Sequence, residues 1–461
     1  MNSYLDKLRE QVSEISKKEG CYADLYLQSG VSHSVRFEDR KIDQLSSSRS
    51  DGCGARIIVG ENTFYSHGTG VDLLSVKAPL IRVGREIGVG IPEISGKESI
   101  DLMNVTEDLD PLECSFMRGI DQALRKESSL IRQITLGYRT AVKNVLILRG
   151  DGAIAVDRRV YTSFSAGVVV QKDGIMQTAY EPRSMAVPVE RFWGNTSPEE
   201  ISRCALQRAL LMLDATSCPA GKMDVILAGE AGGTMIHEAC GHGLEADIIQ
   251  KDFSVYSNSI GKLVASPLIT LVDDATLRDY YGSYGVDDEG TPASRTLLIE
   301  NGILRNYLTD ILSARIGDLP LTGNGRRESS QYAPLPRMSN TFVLPGKTKT
   351  EEMLDQVKLG LYVKKMGGGE VDPTSGDYVF YVTEGYLIKD GKIGPAVRGA
   401  TLTGNGPETL KNIAAVGENY YLEPGICGKS GQSVPVTDGQ PTLFIRNMIV
   451  GGSDTNYGAS E

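Results

Sequence analysis

The segment GGTMIHEACGHGLEAD, residues 232–247, holds two of the four histidines in a chain of 461 residues. His237 is followed at once by Glu238 and, five residues on, by His242. The four-residue spacing of a His-Glu-x-x-His helix leaves two imidazoles only about 40° out of line, so both can hold one zinc. Five residues of regular α-helix instead turn the second ring about 140° away from the first. For the two rings to act together, the helix must widen into a π-type turn or break between them. Gly241 stands where that has to happen, and Gly232, Gly233 and Gly243 make the stretch poor for helix stability but good for close backbone approach. The spacing therefore predicts a bulged or interrupted helix, with His237 and His242 as metal ligands and Glu238 placed beside them to move protons.

Around this segment the chain reads as α+β. Leu5, Leu8, Val12 and Ile15 recur at helical spacing, so the chain should open with an amphipathic helix. Residues 23–69 alternate as a β-meander, with breaks expected at SSSRSDGCG and HGTG. Residues 72–87 and roughly 110–133 read as helices, followed by a β-rich run over 144–183 with hairpin turns at Asp151-Gly152 and Asp173-Gly174. Ser197 with Glu200 forms a capping box, and Pro198 suits the first helical position. The segment ATSCPAGKM, residues 215–223, is the expected boundary between an N-terminal mixed α/β-meander domain over 1–218 and a C-terminal domain over 219–461. The N-terminal part is read as one unit or as two, about 1–100 and 101–218. The C-terminal part is mainly antiparallel β and carries the metal-binding helix. It should contain a buried strand at MDVILAG, hairpins turning at Asn301-Gly302 and Asp390-Gly391, a helix from a Thr348/Glu351 capping box to about Lys358, and a final strand at QPTLFIRNMIV.

Charge narrows the partners. The formal net charge is −11, which disfavours binding to nucleic acid or an anionic membrane through a general field. The opening residues are too charged for a signal peptide, and no run of about 18 apolar residues occurs, so a cytoplasmic location without membrane contact is expected. Seven scattered cysteines without a CxxC pair fit a reducing compartment.

A catalytic zinc takes three protein ligands and keeps a fourth position open. Spacing alone leaves Cys240, Glu245, Asp247 and Cys427 as candidates for the third, the last being a thiol flanked by glycines in PGICGKSGQ. An oxyanion formed in acyl transfer would need donors, for which Arg326, Arg327 and the amides of Gly367 to Gly369 are candidates.

Taken in order, HEACGHGLEAD, DDEGTPASRTLLIENGIL, TGNGRRES, PRMSNTFVLPGK, GGGEVDPTSGDYVF and GICGKSGQSVPVTDGQPTL resemble the TldD/PmbA family of metalloproteases, in particular its TldD branch. The likeness spans nearly all of residues 219–453 and is weaker before them, where DGCGARIIVGENTFYSHGTG carries it. It implies Zn²⁺ held by His237, His242 and Cys427, with Glu238 as general base. Cys240 departs from the small apolar residue usual there. The resemblance further implies a peptidase acting on extended or unfolded peptides, and a dimer, either with itself or with a PmbA/TldE-like partner. The rival readings are a structural zinc site and a non-catalytic interaction subunit, which an open coordination position would separate from the enzyme.

Overall fold

The apolar repeat at Leu5, Leu8, Val12 and Ile15 folds as the helix Ser3–Ser16, and all four side chains are buried against the strands that follow. The computed structural model describes residues 3–90 and 112–452. The expected division near residue 100 falls outside the described residues.

Six long antiparallel strands form the first sheet, in the spatial order Asn62–Thr69, Lys41–Val59, Cys21–Glu38, Ile131–Arg149, Ile154–Lys172 and Ile175–Met185. Two meanders are thus joined side by side through Cys21–Glu38 and Ile131–Arg149. Helices Ser3–Ser16 and Leu73–Glu86 cover one end of one face, and Phe116–Glu127 and Pro198–Leu213 cover the other end. Ser197 caps the last of these, accepting the Glu200 amide at 3.2 Å, with Pro198 in the first turn. Asp173 and Gly174 both take positive φ, as the hairpin turn between their strands requires.

Three local expectations need correction. Lys41–Val59 runs unbroken through SSSRSDGCG, because its glycines serve close approach rather than a turn. A Cβ on Gly54 would sit 1.9 Å from the Tyr65 hydroxyl oxygen, and the residue stays paired with Tyr26. The helix expected to reach residue 133 ends at Glu127, and Ile131 already belongs to the next strand; residues 110 and 111 lie outside the described residues. Thr348 does not cap a helix. Its amide donates to Val416 across the fold, and the short helix is Thr350–Leu354, entered from Lys349.

The rest of the chain builds two further main sheets. In one, Gly221–Leu227 lies between Leu359–Val371 and Leu443–Gly451, and the path continues through Thr401–Asn405, Asp377–Lys389, Lys392–Arg398 and Thr216–Ser217. Leu359–Val371 also pairs with Asp377–Lys389, so five strands close on themselves. The other sheet runs Ile303–Leu304, Arg295–Glu300, Leu271–Asp274, Asn340–Val343, Gln432–Gln440 and Tyr421–Lys429, which puts the last strand at an edge. Asn301-Gly302 and Asp390-Gly391 turn as expected, with positive φ at all four residues.

The uncovered face of the first sheet meets this second half through buried arginines and carboxyl groups. Arg56 binds Asp24 and lies 2.6 Å from Glu289, while Arg159 lies 2.9 Å from Asp288. Charges this deep are tolerated only when paired, so the contact is specified residue by residue.

Candidate metal centre

The chain reaches the histidines from the strand Gly221–Leu227, buried over its last three residues, through a turn at Gly229–Ala231 and one helical turn at Thr234–Ile236. The His237 amide donates to Gly233 in the α pattern, but the His242 amide donates to His237, five residues back. His237–Gly241 is therefore a π turn, and a 3₁₀ turn over His242–Leu244 follows it. The widened turn brings the two rings to a centroid distance of 4.9 Å, at right angles. The five-residue spacing, which a straight helix would have split across two faces, is accommodated in this way. Gly241 is required for packing as well, since a Cβ there would lie 2.1 Å from the Met338 sulfur.

Cys427 comes to the same point from the edge strand Tyr421–Lys429. Its sulfur lies 3.4 Å from Nε2 of His242, and one donor atom from each of His237, His242 and Cys427 falls within 4.8 Å of the others. Each outer ring nitrogen is occupied by a carboxylate: His237 Nδ1 lies 2.6 Å from Asp438, and His242 Nδ1 lies 3.0 Å from Glu245. Carboxylate partners of this kind fix the tautomer and ring orientation of a metal-binding histidine and leave Nε2 free to ligate.

Electrostatics favour a thiolate here. Burial opposes ionisation of Cys427, but hydrogen bonding and charge from His237, then from His242, bring its pKa down to about 5. His242 is raised to about 9: burial opposes its protonation, while Glu245 and Cys427 favour it. Two imidazoles and a thiolate form a donor set suited to zinc. Burial raises the carboxyl pKa of the half-buried Glu238, and the charges of His237 and His242 counter it.

The other candidates are engaged elsewhere. Glu245 binds Lys429 at 2.9 Å besides His242. Lys429 and His242 outweigh burial and hold its carboxyl near 2. Asp247 also pairs with Lys429, at 2.7 Å. Cys240 is fully buried and its thiol is pushed up to about 12 by burial, with Tyr256 opposing. Arg326 and Arg327 are buried rather than solvated loop residues. Arg326 donates to Met338 and Pro435 carbonyls, and Arg327 donates to that of Asp288. Gly367 and Gly368 lie on the strand Leu359–Val371, which packs against the π turn. There the register skips from Met366 to Gly369 and leaves both out of the ladder.

Three contributors escape sequence reasoning. Asp438 orients His237 from 201 residues away, Lys429 ties Glu245 to the cysteine strand, and Arg337 donates to the Cys427 carbonyl at 2.6 Å. All three sit inside the quoted segments, but an aspartate, a lysine or an arginine in a loop or strand carries no local sign of such a role.

Family profiles match along the chain: PmbA/TldA metallopeptidase domain 1 at residues 23–78, the central domain at 93–213 and the C-terminal domain at 220–452. The chain belongs to the PmbA/TldD metallopeptidase family. A metalloprotease TldD homolog of Haemophilus influenzae is 35% identical over 449 residues, covering 94% of this chain and 93% of its own length. A metalloprotease of Methanocaldococcus jannaschii is 32% identical, covering 91% and 95%. The zinc metalloprotease TldD homolog of Saccharolobus solfataricus is 28% identical, covering 82% and 80%. The PmbA/TldD fold is also that of a Thermotoga maritima protein described as a modulator of a DNA gyrase, with TM-score 0.76 at 18% identity over 97% of this chain and 100% of that one. TldE of Thermococcus kodakarensis shares it, with TM-score 0.72 at 16% identity over 96% and 99%. Among the described residues no helix is long and apolar enough to cross a membrane.

Proposed function

We propose that this chain is a zinc-dependent peptidase that hydrolyses extended or unfolded peptides. The observation that carries this reading is the convergence of His237, His242 and Cys427, two of them joined by a π turn and each ring fixed by a carboxylate. The group offers three donors, which favours a centre with an open position over a closed structural site. A bound Zn²⁺ would supply Lewis acidity, polarising the scissile carbonyl and acidifying a water molecule. Glu238 takes the proton from that water and delivers it to the leaving amine. Its position directly after His237 and its raised pKa both suit a group that must hold a proton briefly and release it. For the oxyanion we assign the amides of Gly367 and Gly368, which stand out of register on the strand packed against the π turn.

The edge strand Tyr421–Lys429 carries Cys427 and exposes an unpaired side among the described residues, which supports recognition of a peptide as an added strand. The same reading includes a cytoplasmic enzyme, a dimer with itself or with a TldE-like partner of the same fold, and a division of the chain near residue 218. The first sheet, closed within residues 21–185, supports that division.

The test is Glu238→Gln, which keeps the shape but cannot accept the proton. It should retain zinc by elemental analysis and lose peptide hydrolysis. Near-normal turnover would refute the general-base role, and loss of zinc would make Glu238 a ligand or a support. Chelation of the native protein should abolish cleavage and zinc should restore it. A stable folded domain cleaved as fast as its denatured form would refute the substrate class.

A further inference from the structure

A cavity of about 590 Å³ opens where the first sheet diverges from the second half of the chain. Its charge runs against that of the molecule. Arg139, Lys143, Arg159, Arg326 and Arg327 line it, against two acids, Asp288 and Glu328, in a chain with a net charge of −11. Both acids are already committed, Asp288 to Arg159 at 2.9 Å and Glu328 to the Ser433 amide at 2.7 Å. Lys143 and Arg159 stand directly opposite each other on neighbouring strands; Arg159 is paired with Asp157 and Asp288, while Lys143 donates to the Glu328 carbonyl at 3.1 Å. Burial, opposed by Asp288 and reinforced by Arg159, Arg327 and Arg326, brings Lys143 down to about 8.

One further observation points to a ligand, besides the charge that Arg326 and Arg327, 2% and 1% exposed, hold in the cavity wall. Arg139, at the outer rim, has no carboxylate partner among the described residues.

The cavity also has a fixed relation to the metal centre. Ile426 and Cys427 are consecutive on the edge strand, so their side chains leave on opposite faces. Cys427 meets the histidines, whereas Ile426, 58% exposed, lines the cavity with its register partner Pro435. A peptide laid along that edge alternates its side chains in the same way. A residue presented at the metal centre therefore has a neighbour directed at the cations.

We propose that this cavity is a substrate subsite that takes a carboxylate, either an acidic side chain beside the cleaved bond or the C-terminal group of the peptide. The assignment rests on the peptidase reading above and adds a preference to it. The subsite selects for negative charge in substrates that the rest of the cleft accepts through backbone alone.

The experiment uses zinc-loaded full-length protein and fluorescent peptides in matched pairs: Glu against Gln at each position around the cut, and C-terminal acid against amide. Binding is read by anisotropy and cleavage by kcat/KM. The acidic member of at least one pair should bind roughly tenfold more tightly, as expected for one charge-assisted hydrogen bond, with the gain in KM rather than kcat. The pair that responds identifies the source of the carboxylate. Arg139→Ala/Lys143→Met should erase the preference, bringing the acidic peptide down to its neutral partner, with Arg139→Ala alone giving part of the loss should the double variant fold poorly. Equal binding and cleavage within every pair would overturn the proposal, as would a preference that survives the double variant. Selective binding without any zinc-dependent cleavage would leave the subsite standing and remove the peptidase reading.

Discussion

Asp438 is the most informative residue to perturb, because it acts on the centre through the ring of another side chain. Its carboxylate lies 2.6 Å from Nδ1 of His237, whose side chain is 5% exposed, so water cannot replace the contact freely. Asp438→Asn keeps an acceptor and loses the charge; Asp438→Ala loses both and leaves a buried ring nitrogen unsatisfied. Removing such a partner typically weakens metal binding by roughly 10- to 100-fold, equivalent to about 1.4 to 2.8 kcal/mol. The expected order is wild type, then Asn near tenfold weaker, then Ala near a hundredfold. The assay titrates metal-free protein with zinc against a chromophoric chelator of known affinity. Thermal unfolding of the metal-free variants checks that the fold is intact. If both variants hold zinc within twofold of wild type, the carboxylate is not orienting a ligand, and the case for His237 as one weakens with it.

Further expectations follow the same lines. Cys427→Ala should lose zinc and hydrolysis together, whereas Cys240→Ala should keep full zinc stoichiometry and cost about 1 kcal/mol of stability in urea unfolding through lost packing; loss of zinc from the latter would make Cys240 a ligand. Gly241→Ala places a Cβ 2.1 Å from the Met338 sulfur and should loosen the π turn, lowering zinc affinity even if the protein still folds; unchanged zinc binding would show that the turn tolerates a side chain. Burial, against the opposing charge of Arg56, raises Glu289 to about 8, so the folded chain keeps a proton that the unfolded chain sheds near pH ~4.3. Its contribution to stability is greatest below that lower value and is lost as pH rises toward 8, at up to about 1.4 kcal/mol per unit. Glu289→Gln should flatten that fall when urea midpoints at pH 5 and pH 8 are compared, and an unchanged slope would refute the assignment.

What could be read from the sequence was set by how local each cause is. The π turn between His237 and His242 was legible because ring direction follows from residue count alone. The turns at Asp173-Gly174, Asn301-Gly302 and Asp390-Gly391 were legible because positive φ at two successive residues demands those residue types. SSSRSDGCG misled, since glycine signals a turn and a close approach in the same way, and only Tyr65 lying over Gly54 tells them apart. The Thr348 capping motif failed because its backbone is claimed by Val416, 68 positions further on. The convergence of Cys427 with the histidines rests on sheet register, which no spacing reports, and the resemblance to a family supplied it. Asp438, Lys429 and Arg337 were out of reach for the same reason.

The strand Leu443–Gly451 sits between Gly221–Leu227 and Thr401–Asn405, near the middle of its sheet rather than at a margin. During synthesis Gly221 emerges 230 positions before Gly451, and at about 5–20 residues per second that is a delay of roughly 10–50 s. Through that interval the strand leading into the histidines lacks one of its two neighbours. Cys427 reaches the centre only after most of the same wait. A nascent chain thus holds two imidazoles long before it holds the thiolate. On the proposed function, an enzyme that attacks unfolded polypeptide is thus assembled so that its own unfinished chain is not yet armed.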